Sequence, residues 1–372
     1  MVTLAPAQAR PFEEVRAIML ERAGGLKNPF AYTRADEVER VLNQLHSVER
    51  EAWAEAFMAL AEPYETGAAD AEARGDHQAA RDLSLIAYDY CHVARYPAPN
   101  SPGKLRAYRR SQENFHRAAR YFEPPLERVE MPFNGRPGEG SVSIGLLRKP
   151  TGVERPPVAV IWGGIDAFKE ERKPDDFLEV GLAVLAIDMP GVADAPLAGS
   201  EDAERLWDAV FDWIASRPDL DAQRVGIVGG STGGYWAAKV AHTHRDRVRA
   251  AVDHGGCIHH AFSAEWIAEA QRGEYPFELA ETLACAFGRS TYEEWVACAP
   301  RLSLVRQGVL DQPCAPLLAV NGANDSVFPI DDVYVLLEHG GPKWARVVAN
   351  SGHMGHPVAM PTIVSWLKEH LS

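Results

Sequence analysis

A chain of 372 residues, 46% hydrophobic and 24% charged, carries enough apolar material for a sizeable buried core, which excludes a disordered or fibrous protein. A net charge of −14 argues against a nucleic-acid or anionic-membrane partner, since either needs a basic face. No apolar run of about 18 residues that would span a bilayer is present. The opening stretch "MVTLAPAQARPFEEV" lacks the basic start and apolar block of a secretory signal. The cysteines Cys91, Cys257, Cys285, Cys298 and Cys314 share no CxxC spacing, which argues against structural zinc or a disulfide framework and fits a reducing cytoplasm.

Residues 1–122 read as a helical domain. Val38, Val41, Leu42 and Leu45 recur at helical spacing, and Trp53, Phe57 and Leu60 extend the pattern through "EREAWAEAFMALAEPY". A further helix is expected over "HQAARDLSLIAYDYCHVARY", with Asp76 capping its start and Pro97 ending it. Another runs through "PGKLRAYRRSQENFHRAARYF" until Pro124 and Pro125 stop it.

From residue 123 the pattern changes. "LERVEMPF" and "SVSIGLLR" alternate like two strands flanking the turn "NGRPGEG". Strands are then expected at "PVAVIW", "LAVLAID", "RVGIV", "RAAVD", "PLLAVNG" and "WARVVAN". Helices are expected at "AERLWDAVFDWIASR", "GYWAAKVAHTH", "DDVYVLLEHG" and "PTIVSWLKEHL". Such alternation predicts a mainly parallel sheet with helices on both faces, its ligands gathering at the strands' C-terminal ends. About 60 residues richer in helix than strand interrupt the pattern, too long for a simple connection. The expected organisation is therefore a helical domain over 1–122, an α/β core over 123–253 and 316–372, and a helical cap insertion over 254–315.

In "VGIVGGSTGGYW" the strand ends on Gly229-Gly230-Ser231-Thr232-Gly233, which satisfies G-x-S-x-G between a strand and a helix. A serine at the tip of so sharp a turn needs neighbours without Cβ two positions away on either side, and the helix below turns N–H groups toward a developing oxyanion. A serine hydroxyl also needs a base, and the base an orienting acid. Asp325 follows the strand in "LLAVNGANDSVFP", and His353 follows the next in "VVANSGHMGHP". Asp331 and Asp332 sit where helix capping is the better reading, and His356, before Pro357, looks like a helix entry. The order Ser231, Asp325, His353 is that of an α/β-hydrolase fold. "PPVAVIWGGIDAFKEE" supplies the other half of an oxyanion hole through the backbone N–H of Ile165, or alternatively of Gly164, acting with that of Thr232.

With "PGKLRAYRRSQENF" leading to "PPLERVEMPFNG", and with "GGIDAFKEE", "AIDMPGVADAP" and the segments above, the chain resembles the α/β-hydrolase superfamily. More narrowly, it resembles the group containing 2,6-dihydroxypseudooxynicotine hydrolase, the fermentation–respiration switch esterases and the fungal polyketide-shortening hydrolases. The resemblance implies a catalytic serine acting on a carbonyl: carbon–carbon cleavage beside a ketone in the pseudooxynicotine enzyme, ester cleavage in others. Within the insertion, His254, His259, His260 and Glu265 are candidates for substrate contact or proton transfer, against plain packing or solvation. The three histidines lack a further ligand at a clear spacing, so no metal is expected. Asp166 and Lys169 are candidates for fixing the oxyanion loop, against a solvated helix start. Cys257 reads as a buried thiol.

The expected function is a serine hydrolase without cofactor acting on a small molecule. Aromatic segments in the insertion ("FSAEW", "EYPF", "YEEW") point to a hydrophobic one. The spare proton donors tip the balance toward carbon–carbon cleavage, with ester or thioester hydrolysis and acyl transfer or cyclisation as alternatives. The helical domain and the insertion are expected to roof the site, and the helical region is a candidate surface for a homodimer.

Overall fold

The structure is a computed structural model that describes residues 10–372; positions 1–9 of the stretch read for a secretory signal lie outside the described residues. The described chain forms two compact units. One comprises residues up to Leu126 together with Pro276–Glu278, and the other comprises Glu127–Tyr275 and Leu279–Ser372. Among the described residues no helix is long and apolar enough to cross a membrane.

The first unit holds helices α1 (Phe12–Gly24), α2 (Ala35–Leu42), α3 (Arg50–Ala73), α4 (His77–Arg95) and α5 (Pro102–Ala119), of which α3, α4 and α5 pack on one another. Trp53 of α3 is fully buried, packs at a tilt against Phe57 with ring centres 4.8 Å apart, and donates its indole N–H to Val93 O of α4 at 2.8 Å. Asp76 caps α4 by accepting the Ala79 N–H at 3.1 Å. Helix α3 runs on through Pro63, because Ala68 and Ala71 beyond the expected end remain fully buried. The proline removes one backbone bond, and the packing on either side keeps the helix continuous. Asp89 holds the α1–α2 connection by accepting the N–H groups of Ala31, Tyr32 and Thr33 at 2.8, 2.6 and 2.8 Å.

The second unit is built on an eight-stranded sheet: β1 (Leu126–Pro132), β2 (Val142–Arg148), β3 (Pro157–Trp162), β4 (Ala183–Ile187), β5 (Asp221–Gly230), β6 (Ala250–His254), β7 (Leu317–Gly322) and β8 (Lys343–Val348). The spatial order is β1-β2-β4-β3-β5-β6-β7-β8; β2 runs antiparallel to β4, and the pairings from β4 across to β8 are parallel. Every residue of β3, β4, β6 and β7 is buried, as strands covered on both faces require. Helices α6 (Asp175–Glu179), α7 (Leu206–Ser216) and α8 (Thr232–Thr243) lie between successive strands. The long connection from β6 to β7 carries α9 (Ala264–Ala270), α10 (Leu279–Ala286) and α11 (Tyr292–Cys298), and α12 (Asp331–Glu338) and α13 (Ala359–Leu371) complete the chain.

One expectation is corrected here. Helix α12 is preceded by Ile330 with no side-chain cap, so neither Asp331 nor Asp332 is its cap. Asp332 is instead fully buried and accepts N–H groups from Ile258, His260 and Ala261 at 2.7, 2.6 and 3.4 Å, pinning the start of the insertion to α12. Burial pushes its carboxyl pKa up, and the bonds from the backbone pull against that. Asp332→Ala leaves those N–H groups buried without a partner and is expected to cost about 3 kcal/mol or more in unfolding free energy. Urea denaturation checks this, and a midpoint equal to wild type would contradict it.

Candidate active site

Strand β5 sits centrally in the sheet and delivers Ser231 to its C-terminal edge. Ser231 has φ 55° and ψ −131°, a conformation that costs a side-chain-bearing residue about 1–3 kcal/mol. Its N–H donates to His254 O at 2.8 Å and its carbonyl accepts the Gly234 N–H at 2.7 Å, so the turn is held on both sides. A Cβ on Gly229 would stand 2.0 Å from Gly233 O, and one on Gly233 would stand 2.3 Å from Gly163 O. Both positions therefore exclude any side chain, and the glycines that frame Ser231 are explained by close approach of backbone to backbone.

Asp325 lies three residues past β7 and is 7% exposed. Its Oδ1 accepts the N–H groups of Val327 and Phe328 at 2.7 and 3.0 Å. Its Oδ2 accepts from Asn321 Nδ2 and His353 Nδ1, both at 2.8 Å. The opposite ring nitrogen, His353 Nε2, is 2.8 Å from Ser231 Oγ. Three side chains from three strand ends thus form one hydrogen-bonded series. Burial alone would raise the Asp325 pKa, but His353, Asn321 and the Phe328 N–H outweigh it and hold the carboxyl below its usual range. Burial would likewise lower the His353 pKa, but Asp325, with Glu274 and Asp166 adding to it, raises the ring above an ordinary histidine.

On the other side of Ser231, β3 ends at Trp162, whose indole N–H donates to Gly233 O at 2.8 Å and ties the two loops together. A Cβ on Gly164 would lie 3.1 Å from Ser231 Oγ, so this loop passes directly beside the hydroxyl. Ile165 and Asp166 are buried in it, and Thr232 is fully buried at the start of α8. The loop is anchored by Lys169, which is 1% exposed. Its Nζ meets Asp188, Asp194 and Glu170 at 2.8, 2.6 and 3.0 Å, and its N–H donates to Asp188 Oδ1 at 2.9 Å. Burial pushes the Asp188 pKa up to about 6, against the pull of Lys169.

The histidines of the insertion separate. His254 ends β6, is 3% exposed, and hydrogen-bonds through Nε2 to Met354 O at 2.7 Å, next to His353. Burial and the neighbouring His356 push its pKa down to about 3, so the ring is neutral and Nε2–H is the donor. His259 pairs through Nδ1 with Ser303 Oγ at 2.7 Å, while His260 is exposed. Glu265 is exposed in the first turn of α9. None of these last three is hydrogen-bonded to Ser231, Asp325 or His353. Cys257 is fully buried, and burial raises its thiol pKa well above the usual value. Sequence reasoning passed over Asn321, whose Oδ1 accepts the Met354 N–H at 3.0 Å while its Nδ2 serves Asp325. It also passed over Glu274, whose Oε1 accepts the His353 N–H at 3.0 Å. Such residues act on backbone groups far away in sequence and leave no spacing pattern, although a polar side chain inside the apolar run "PLLAVNG" was a signal.

The sheet order, the covering helices and the strand-end loops are those of an α/β hydrolase. Residues 53–372 match the family model described as Esterase FrsA-like, and the chain belongs to that family. It is 30% identical over 252 residues to the alpha/beta hydrolase ucsC of Acremonium sp, covering 60% of this chain and 51% of that one. It is 25% identical over 312 residues to Esterase FrsA of Vibrio cholerae serotype O1, covering 81% and 72% respectively. The chain thus spans about half the length of ucsC. Among solved structures, 2,6-dihydroxy-pseudo-oxynicotine hydrolase superposes with a TM-score of 0.75 at 21% identity, over 96% of this chain and 95% of that one. AbyA5 superposes with a TM-score of 0.65 at 26% identity, over 82% and 86%.

The pairing of His353 with Asp325 has a direct readout. An NMR titration should place the His353 pKa above the ordinary value of about 6.5, and Asp325→Asn should lower it by about one unit or more. Equal values in the two proteins would contradict the pairing.

Proposed function

We propose that this chain is a serine hydrolase that cleaves carboxylic esters of a small, largely apolar molecule through an acyl-enzyme. The observation that carries the reading is the series Asp325 Oδ2, His353 Nδ1 and Nε2, Ser231 Oγ, with both contacts at 2.8 Å. In this reading Ser231 Oγ attacks the carbonyl carbon as its proton passes to His353 Nε2, and Asp325 orients the ring and stabilises the imidazolium. The tetrahedral oxyanion takes hydrogen bonds from the backbone N–H of Thr232 and from Ile165 or Gly164, each donor contributing about 10²–10³ in rate. As the intermediate collapses, the alcohol leaves with the proton from Nε2. Water then repeats the sequence against the acyl group, with His353 as its base. Phe328, edge-on to the His353 ring at 5.6 Å, favours an apolar group beside the scissile bond.

Carbon–carbon cleavage needs a further proton donor for the departing carbon. Of the residues that could supply one, His254 spends its Nε2–H on Met354 O, His259 pairs through Nδ1 with Ser303 Oγ, and His260 and Glu265 are exposed. Ester cleavage needs no such donor, and membership of an esterase-like family supports it. Acyl transfer would run through the same acyl-enzyme with an acceptor other than water.

Ser231→Ala should lower turnover of 4-nitrophenyl esters by a factor of about 10³ or more while melting like wild type. Assayed beside aryl β-diketones, wild type should hydrolyse the esters and leave the diketones intact. Diketone cleavage with inert esters would overturn the ester reading in favour of carbon–carbon cleavage, and full ester activity in Ser231→Ala would overturn the assignment of the nucleophile.

A further inference from the structure

Glu274 follows α9 inside the insertion, yet its carboxylate reaches the loops after β7 and β8. Its Oε1 accepts the N–H of His353 at 3.0 Å, the N–H of Ser326 at 3.2 Å and the hydroxyl of Ser326 at 3.1 Å. Ser326 Oγ in turn accepts the Glu274 N–H at 2.9 Å, closing a ring between the two residues. A Cβ on Gly352 would lie 2.6 Å from Glu274 Oε2, so that oxygen rests against the backbone just before His353. One carboxylate therefore touches the residue after Asp325 and His353 itself, 52 and 79 positions away in sequence.

We propose that Glu274 is the positioning residue of this site, its carboxylate pinning the Asp325 loop and the His353 loop to each other so that Nε2 stays on Ser231 Oγ. The inference rests on the triad reading above. A base must be held to about 0.5 Å to be productive, and a misplacement of about 1 Å costs on the order of 10²-fold in rate. Asn321 fixes the same loop one residue on, through the Met354 N–H, so the backbone of His353 is held from both sides. Glu274 binds the main chain of the base and leaves its ring free to exchange protons.

A second consequence is electrostatic and separates this role from a merely structural one. The groups facing His353 are Asp325, Glu274 from the insertion, Asp166 from the β3 loop, Asp253 and His254 from β6, and His356 from its own loop. Burial keeps His254 neutral, lowers the His356 pKa and pushes that of Asp253 up to about 7, so Asp325, Glu274 and Asp166 set the field at the ring. Glu274 favours the charged imidazolium, and removing its charge must lower the His353 pKa. Because the ring has to be neutral to accept the serine proton, the acid limb of reactivity then moves to lower pH.

The test follows covalent modification by phenylmethylsulfonyl fluoride, read as mass added to the protein, which needs no knowledge of the substrate. Rate constants are measured from pH 5 to 9 (on the order of the range histidine titration requires) for wild type, Glu274→Gln, Glu274→Ala and Ser231→Ala. Glu274→Gln keeps an acceptor oxygen and loses the charge; its acid limb should move down by about half a pH unit or more. Glu274→Ala loses the pin as well and should react about tenfold more slowly at the plateau, with a melting curve verifying that it is folded. An acid limb that stays in place in Glu274→Gln overturns the proposal, as does a plateau rate in folded Glu274→Ala equal to wild type. Modification of Ser231→Ala at the wild-type rate would instead overturn the triad reading itself, so the two failures are distinguishable.

Discussion

The backbone of Ser231 is the constraint from which the rest of the site follows. A residue with a side chain is held at φ 55° at the end of a central strand, at a cost of about 1–3 kcal/mol. The cost is offset only because the surroundings leave no alternative. β5 is paired on both sides, the Ser231 N–H is taken by His254 O of the next strand, and the turn closes on the Gly234 N–H. Gly229 and Gly233 let the β3 loop come within backbone contact of the turn, and the Trp162 indole then locks it there. The loop carrying Gly164 beside Ser231 Oγ is thus placed by the same packing that strains the serine.

The remaining parts meet that hydroxyl through a buried polar network rather than through apolar packing. Asp325, Asn321, Lys169, Asp188 and Asp332 are all nine-tenths or more buried, and each has its polar atoms engaged by named partners. Buried groups of this kind are tolerated when their bonds are made and become costly when one partner is lost. They specify geometry, because a carboxylate that accepts several N–H groups has a single position that satisfies them. Asp332 does this for the start of the insertion, and Asp325 for its own loop.

How far the fold was legible depended on whether its signals were local. Strands β3, β4, β6 and β7 were readable as unbroken apolar runs because both faces are covered, and Ser231 because its glycines are contiguous with it. Asp325 and His353 were readable because each follows a strand in the expected order. Helix α1 was missed although Val15, Met19 and Ala23, its buried residues, recur every fourth position; the face is only one residue wide. Helix α3 was read only as far as "AEPY", since a proline signals an end unless tertiary packing overrides it. The position of Asp332 predicts a cap, because aspartates at a helix start usually are caps, but its partners lie more than 70 residues away. His254, His259, His260 and Glu265 cluster in sequence, yet in the fold His254 binds the His353 loop through Met354 O, the His259 and His260 rings lie 4.7 Å apart, and Glu265 is exposed.

A crystal structure of the protein after reaction with phenylmethylsulfonyl fluoride tests the role of Ser231 most directly. The expected result is a sulfonyl group bonded to Ser231 Oγ, one of its oxygens within hydrogen-bond distance of the Thr232 N–H and of the Ile165 or Gly164 N–H, and His353 still paired with Asp325. A sulfonyl group on any other residue, or one on Ser231 with its oxygens directed away from those N–H groups, would contradict it.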